Sequence, residues 1–174
     1  LVLDGGGAIV MVRADRAKSL KKKPVYVLGT GESLSHANIS SMPDFTVSAA
    51  KESGAQAYAA AKMKPSDMQM LSLYDAFTIT PILFLEDLGF CKKGEVGYFV
   101  ASGALRLGGS LPTNTSGGQL SECHNEGMLQ ICEGVRQIRN LYPTERQVKD
   151  AEIALVSGHG GNQVCHASLI LGRA

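Results

Sequence analysis

Tyr74 and His124 are the side chains whose type and setting best suit proton transfer. Tyr74 closes the apolar run Met70–Leu73 and precedes a helical pattern, and strand ends in layered α/β folds are where sites gather. A phenol, with an ordinary pKa of ~10, donates to a developing enolate or takes a proton when that value is lowered. The alternative is a half-buried aromatic with a hydrogen-bonded tip. His124 follows a loop rich in Gly, Pro, Thr, Asn and Ser and opens a long amphipathic pattern. Free backbone N–H groups at a helix opening, beside an imidazole, suit an anionic or carbonyl oxygen. Gly117 and Gly118 permit a close backbone approach in that loop. A surface loop with a capped helix is the other reading. His159 lies in Ser157-Gly158-His159-Gly160-Gly161, where Gly160 and Gly161 offer N–H groups to an oxyanion; a surface loop histidine fits equally. Asp75 is expected to cap the helix that follows it. His36 and His166 read as structural, and the four histidines have no metal-ligand spacing, so no metal is expected.

The elements that must position these residues read as α/β. Residues 8–12 predict a buried strand after three glycines, and residues 14–20 a short helix. Val25–Leu28 predicts a strand ended by Gly29-Thr30-Gly31, and residues 47–62 an alanine-rich helix. Met70–Leu73 reads as a strand, and residues 76–89 as a helix with Gly89 as its C-cap. Residues 94–102 read as a short helix or ordered loop. The spacing of Met128, Ile131, Cys132, Val135 and Ile138 predicts one helix over 120–139 with Cys132 in its core face. Residues 152–157 and 166–171 predict two strands joined by the glycine-rich loop. Strands alternating with helices imply a mixed sheet covered on both faces.

The bulk numbers exclude several classes. The chain's 174 residues suffice for one sizeable core, and a net charge of +1 selects neither nucleic acid nor an anionic membrane. Lys21-Lys22-Lys23 reads as a solvated connector. No apolar run reaches the ~18 residues of a spanning helix and no signal peptide is visible, so a cytoplasmic protein is expected. Cys91, Cys123, Cys132 and Cys165 lack C-x-x-C spacing, so reduced thiols are the expectation.

Asn114, Gly117, Gly118 and His124 match the pattern N-x-x-G-G-x-x-x-x-G-H-P, with Cys123 and Asn125 as departures. Tyr74-Asp75-Ala76-Phe77 resembles an H-D-C-F or N-E-A-F segment, and residues 157–161 a glycine-rich C-terminal loop. In this order the three motifs resemble the thiolase superfamily over nearly the whole chain. The likeness is to its lipid-transfer-protein type, nearest the thiolase-like aldolases that shorten steroid side chains.

The resemblance implies a thiolase-like C-terminal domain over 23–174. Residues 1–22 would be a remnant of an N-terminal half that holds the nucleophile region of ordinary thiolases. The strand at 8–12 would then pack against a second polypeptide or a copy of itself. The implied reaction is retro-aldol cleavage of a bulky β-hydroxyacyl-CoA. Tyr74 and His124 would be the acid/base pair, with Asp75, Asn114, Gly118, Ser157, His159 and Gly160 in supporting or oxyanion roles. Coenzyme A would enter as part of the substrate, with no resident cofactor. Ala76 and Ser157 stand where thiolases of one type or another place an acid/base cysteine, which disfavours Claisen chemistry. The alternatives are a thiolytic acyltransferase and a catalytically silent acyl-CoA-binding subunit. Implied partners are the N-terminal half, a homodimer mate and an OB-fold, zinc-ribbon acyl-CoA-binding protein.

Overall fold

The computed structural model describes residues 4–173. Four strands form one mixed sheet: β1 (Tyr26–Leu34), β2 (Met70–Leu73), β3 (Ile153–Gly160) and β4 (Cys165–Gly172), in the order β1-β4-β3-β2. β4 runs antiparallel to both β1 and β3, whereas β2 runs parallel to β3. Thr113 adds a single parallel bridge to Leu71 on the outer side of β2.

Helices cover both faces, as alternation along buried strands requires. On one face α2 (Ala50–Ala61) and α3 (Ile79–Asp87) pack Ala57, Tyr58, Phe84 and Leu85 onto Leu71, Leu73, Leu155 and Ile170. On the other, α6 (Met128–Ile138) lays Ile131, Val135 and Ile138 onto Met70, Ala154, Val156 and Leu171. The short α1 (Ala14–Ala17), α4 (Val96–Ala101) and α5 (Gly118–Ser121) complete the described α-helices.

Several expectations need correction. Residues 8–12 form no strand; the stretch is irregular and exposed, with Val10 88% accessible. Among the described residues no strand pairs with it. The helix expected at 14–20 shortens to α1. Gly29-Thr30-Gly31 does not end β1, which runs on to Leu34. A Cβ at Gly29 or Gly31 would collide with the α2 backbone at Ala57 or Ser53, so these glycines admit the helix against the strand. The helix expected over 120–139 is two, α5 and α6, parted by a connector that ends at Gly127 with φ of 86°. Cys132 is half-buried, not core. The most buried positions of α6 include the polar Gln130, Glu133 and Gln137. Residues 157–160 belong to β3, leaving only 161–164 as a turn.

Candidate functional site

Tyr74 lies just beyond the end of β2, where its N–H donates to Ser157 O at 2.9 Å. The residues on either side of it are each held by a later loop. Leu73 N–H donates to Asn114 Oδ1 at 2.7 Å, and Gln119 N–H donates to Asp75 Oδ1 at 2.7 Å. Asn114 itself has φ of 51° and returns its N–H to Leu71 O, so its amide extends the edge of β2 by one acceptor. Asp75 does cap a helix, but that helix is α5 rather than α3. Gly118 is required by this contact: at φ of 66° its Cα faces the carboxylate, and a Cβ there would overlap Asp75 Oδ2.

The α5–α6 connector then brings His124 to Tyr74. The phenol oxygen lies 2.6 Å from His124 Nε2, with the two rings edge to face. Tyr74 is 8% accessible, and burial raises its pKa; the Glu126 and Asp75 carboxylates add to the rise while Gln119 opposes it. The phenol therefore keeps its proton, and it donates to His124 Nε2 when that nitrogen is the bare one of the imidazole. His124 is the exposed member of the pair and lies within the connector rather than opening the helix as expected.

Pairing of β3 with β2 stops at Ser157, so Gly158–Gly160 run past Tyr74 beyond the end of β2. His159 meets the Tyr74 ring edge to face at 4.7 Å and Phe84 at 5.4 Å. Neither ring nitrogen has a partner among the described residues, and burial lowers its pKa, so the ring is neutral near pH 7. Ser157 Oγ is likewise buried and unpartnered. His166 pairs with His159 across the strands and bonds Ser53 Oγ through Nδ1 at 2.7 Å, in the structural place expected of it. His36 is remote from this cluster and bonds Ser35.

A groove of about 610 Å³ opens beside the pair, between the sheet and the start of α6. Tyr74, Gly158, Gly160, Cys165, Met128 and Ile131 are among its walls. Its small residues on β3 and β4 make the concavity, and the thiol of Cys165 was not singled out from sequence because it lies in no motif. Among the described residues no three His, Cys, Asp or Glu side chains gather as metal ligands, and no helix is long and apolar enough to cross a membrane.

Comparison with known proteins agrees with this architecture. The 17-hydroxy-3-oxo-4-pregnene-20-carboxyl-CoA lyase of Mycobacterium tuberculosis is 38% identical over 97% of this chain and 44% of its own length. The steroid side-chain-cleaving aldolase of Thermomonospora curvata is 37% identical over 97% of this chain and 44% of its own. An acetyl-CoA acetyltransferase of Methanothermobacter thermautotrophicus is 33% identical over 95% and 45%. The solved Ltp2-ChsH2(DUF35) aldolase superposes with a TM-score of 0.84 at 34% identity, over 92% of this chain and 42% of that one. The chain thus spans less than half the length of these relatives. With residues 31–173 matching the family described as thiolase C-terminal domain-like, and with the mixed sheet and its two helical layers in place, the chain belongs to that family.

Proposed function

We propose that this chain is the C-terminal part of an acyl-CoA carbon–carbon lyase that cleaves a bulky β-hydroxyacyl-CoA by a retro-aldol reaction. The carrying observation is the 2.6 Å contact between the Tyr74 hydroxyl and His124 Nε2, beside a groove that Tyr74 helps to line. The similarity to a steroid carboxyl-CoA lyase and a side-chain-cleaving aldolase supports the substrate class.

In the reaction, the substrate's β-hydroxyl donates to the Tyr74 oxygen while the Tyr74 proton passes to His124 Nε2. The electrons of the O–H bond form the ketone as the bond between the α and β carbons breaks. The departing pair becomes a thioester enolate, which needs hydrogen-bond donors on its oxygen. The unpartnered nitrogens of His159 and the end of β2 pairing at Ser157 support the His159 ring and the backbone of Gly158–Gly160 in this role. Returning the proton through Tyr74 to the α carbon releases the shortened acyl-CoA. Asn114, Asp75 and Gly118 hold the Tyr74 seat, Ser157 supports its N–H, and coenzyme A enters only as part of the substrate.

Residues 23–174 would form the C-terminal domain, with residues 1–22 belonging to the other half of a longer chain. That half would lie against the exposed side of α6 and the groove, in a homodimer accompanied by an OB-fold acyl-CoA-binding partner. The similarity to the Ltp2-ChsH2(DUF35) aldolase, whose name joins an aldolase to a DUF35 protein, supports such a partner. One observation favours a second reading, thiolytic acyl transfer: acetyl-CoA acetyltransferases stand among the relatives.

The test is to incubate the complete enzyme with a steroid β-hydroxyacyl-CoA and no free coenzyme A. Release of a ketone and a shortened acyl-CoA is expected. Turnover of a β-ketoacyl-CoA only when coenzyme A is added would replace this reading with the thiolytic one, and no turnover of either would refute both.

A further inference from the structure

The most buried face of α6 is polar. Glu133 is 1% accessible and Gln137 is fully buried. Glu133 Oε2 takes a hydrogen bond from the Tyr142 hydroxyl and an ion pair from Arg146 Nη2 at 3.2 Å. Glu133 Oε1 takes the Thr115 hydroxyl at 2.5 Å and Gln137 Nε2 at 3.1 Å. Gln137 Nε2 also lies 3.1 Å from Thr115 Oγ1, and Gln137 Oε1 receives the Val148 N–H at 2.8 Å. Arg146 stacks over the Tyr142 ring at 4.1 Å, and its Nε reaches Thr115 O at 3.4 Å.

Burying a carboxylate with its partners gains little stability over apolar packing of the same volume, because desolvation offsets the attraction. What such a network does supply is fixed geometry. Its link to the loop that flanks Tyr74 is Thr115, bonded to Glu133 and Gln137. The residue before it, Asn114, holds Leu73; the α5 turn that follows presents Gln119 N–H to Asp75. Thr115 thus stands at the root of the two bonds that flank Tyr74.

We infer that Thr115 is a positioning residue: its hydroxyl, anchored on Glu133 and Gln137, sets the 114–119 loop and through it the distance between Tyr74 and His124. The inference rests on the retro-aldol reading for its kinetic consequence but not for its structural one. A displacement of about 1 Å at reacting groups can lower turnover about 100-fold.

The experiment uses Thr115→Val, which keeps volume and β-branching but removes the hydroxyl, and Thr115→Ser, which restores it. Both are made in the complete enzyme. Turnover, KM, thermal midpoint and amide hydrogen exchange are measured. For Thr115→Val, kcat should fall about 10- to 100-fold with KM changed less than about threefold. The Leu73 and Gln119 amides should exchange faster while the rest of the sheet keeps its protection, and Thr115→Ser should recover both properties. Wild-type kcat in Thr115→Val overturns the inference. So does unchanged exchange at Leu73 and Gln119, or a failure of Thr115→Ser to recover. Loss of protection throughout α6 and the sheet, or a Thr115→Val chain that does not fold, makes the network a stability element and also overturns it. If the wild-type enzyme cleaves no β-hydroxyacyl-CoA, the retro-aldol reading falls alone, and the exchange pattern still decides the role of Thr115.

Discussion

Tyr74→Phe and His124→Gln, alone and together, test whether the two side chains act as one unit. Tyr74→Phe deletes an oxygen whose hydrogen-bond partner is His124 Nε2 at 2.6 Å. The ring keeps its edge-to-face contact with His159 at 4.7 Å, and the backbone bonds at residues 73–75 do not involve the phenol. The stability change should be that of one hydrogen bond, about 0.5–1.5 kcal/mol. Loss of general acid/base help should lower turnover about 10²- to 10⁴-fold, or about 2.7–5.4 kcal/mol of barrier. Two independent groups would multiply these losses in the double variant. Groups that pass one proton between them lose it only once, so the double variant should be no worse than the poorer single one. The assay is appearance of the ketone product under saturating acyl-CoA, with unfolding in urea as the control. Turnover of Tyr74→Phe within about threefold of wild type, or a multiplicative double variant, would refute the shared-proton argument.

Three further outcomes concern the supports. Asp75→Ala leaves the Gln119 N–H without its acceptor and should destabilise by about 1–2 kcal/mol in urea unfolding, whereas Asp75→Asn, which keeps an acceptor, should recover most of this. Gly118→Ala places a Cβ against the Asp75 carboxylate at a positive φ and should destabilise by more than about 1 kcal/mol in the same assay. Burial, with His159 adding to it, lowers the His166 pKa from its ordinary 6.5 to about 3. Unfolded chains bind that proton first, so the contribution is present above pH 6.5 and lost as pH falls toward 3. Urea midpoints measured across that window should decline with acidification, and less steeply in His166→Gln.

The sequence made the layered α/β plan legible because its strands are short apolar runs and its helices carry one apolar face. Met70–Leu73 lies where it was expected, and β3 begins within one residue of its expected start, for that reason. It misled where a residue had two uses. Glycine ends strands more often than it lets a helix settle on one, so Gly29 and Gly31 concealed the second half of β1. The apolar spacing from Met128 to Ile138 was real but drew attention from Glu133 and Gln137, whose i, i+4 separation on one face was the available signal. The meeting of Tyr74 with His124 depends on a long chain excursion between them, which no local pattern encodes. Asp75 was readable as a cap, but which helix it caps is decided by tertiary placement.

The bonds that seat Tyr74 run through backbone atoms or through its neighbours: its own N–H to Ser157, the N–H of Leu73 to Asn114, and the carboxylate of Asp75 to Gln119. None depends on which side chain position 74 bears. The mount and the tool are therefore separable. A histidine or asparagine at position 74 would sit on the same backbone mount, but its shorter side chain would stop short of the point the Tyr74 hydroxyl reaches beside His124. A library varied at that position alone would therefore change what is presented to His124 without removing the bonds that hold the loop.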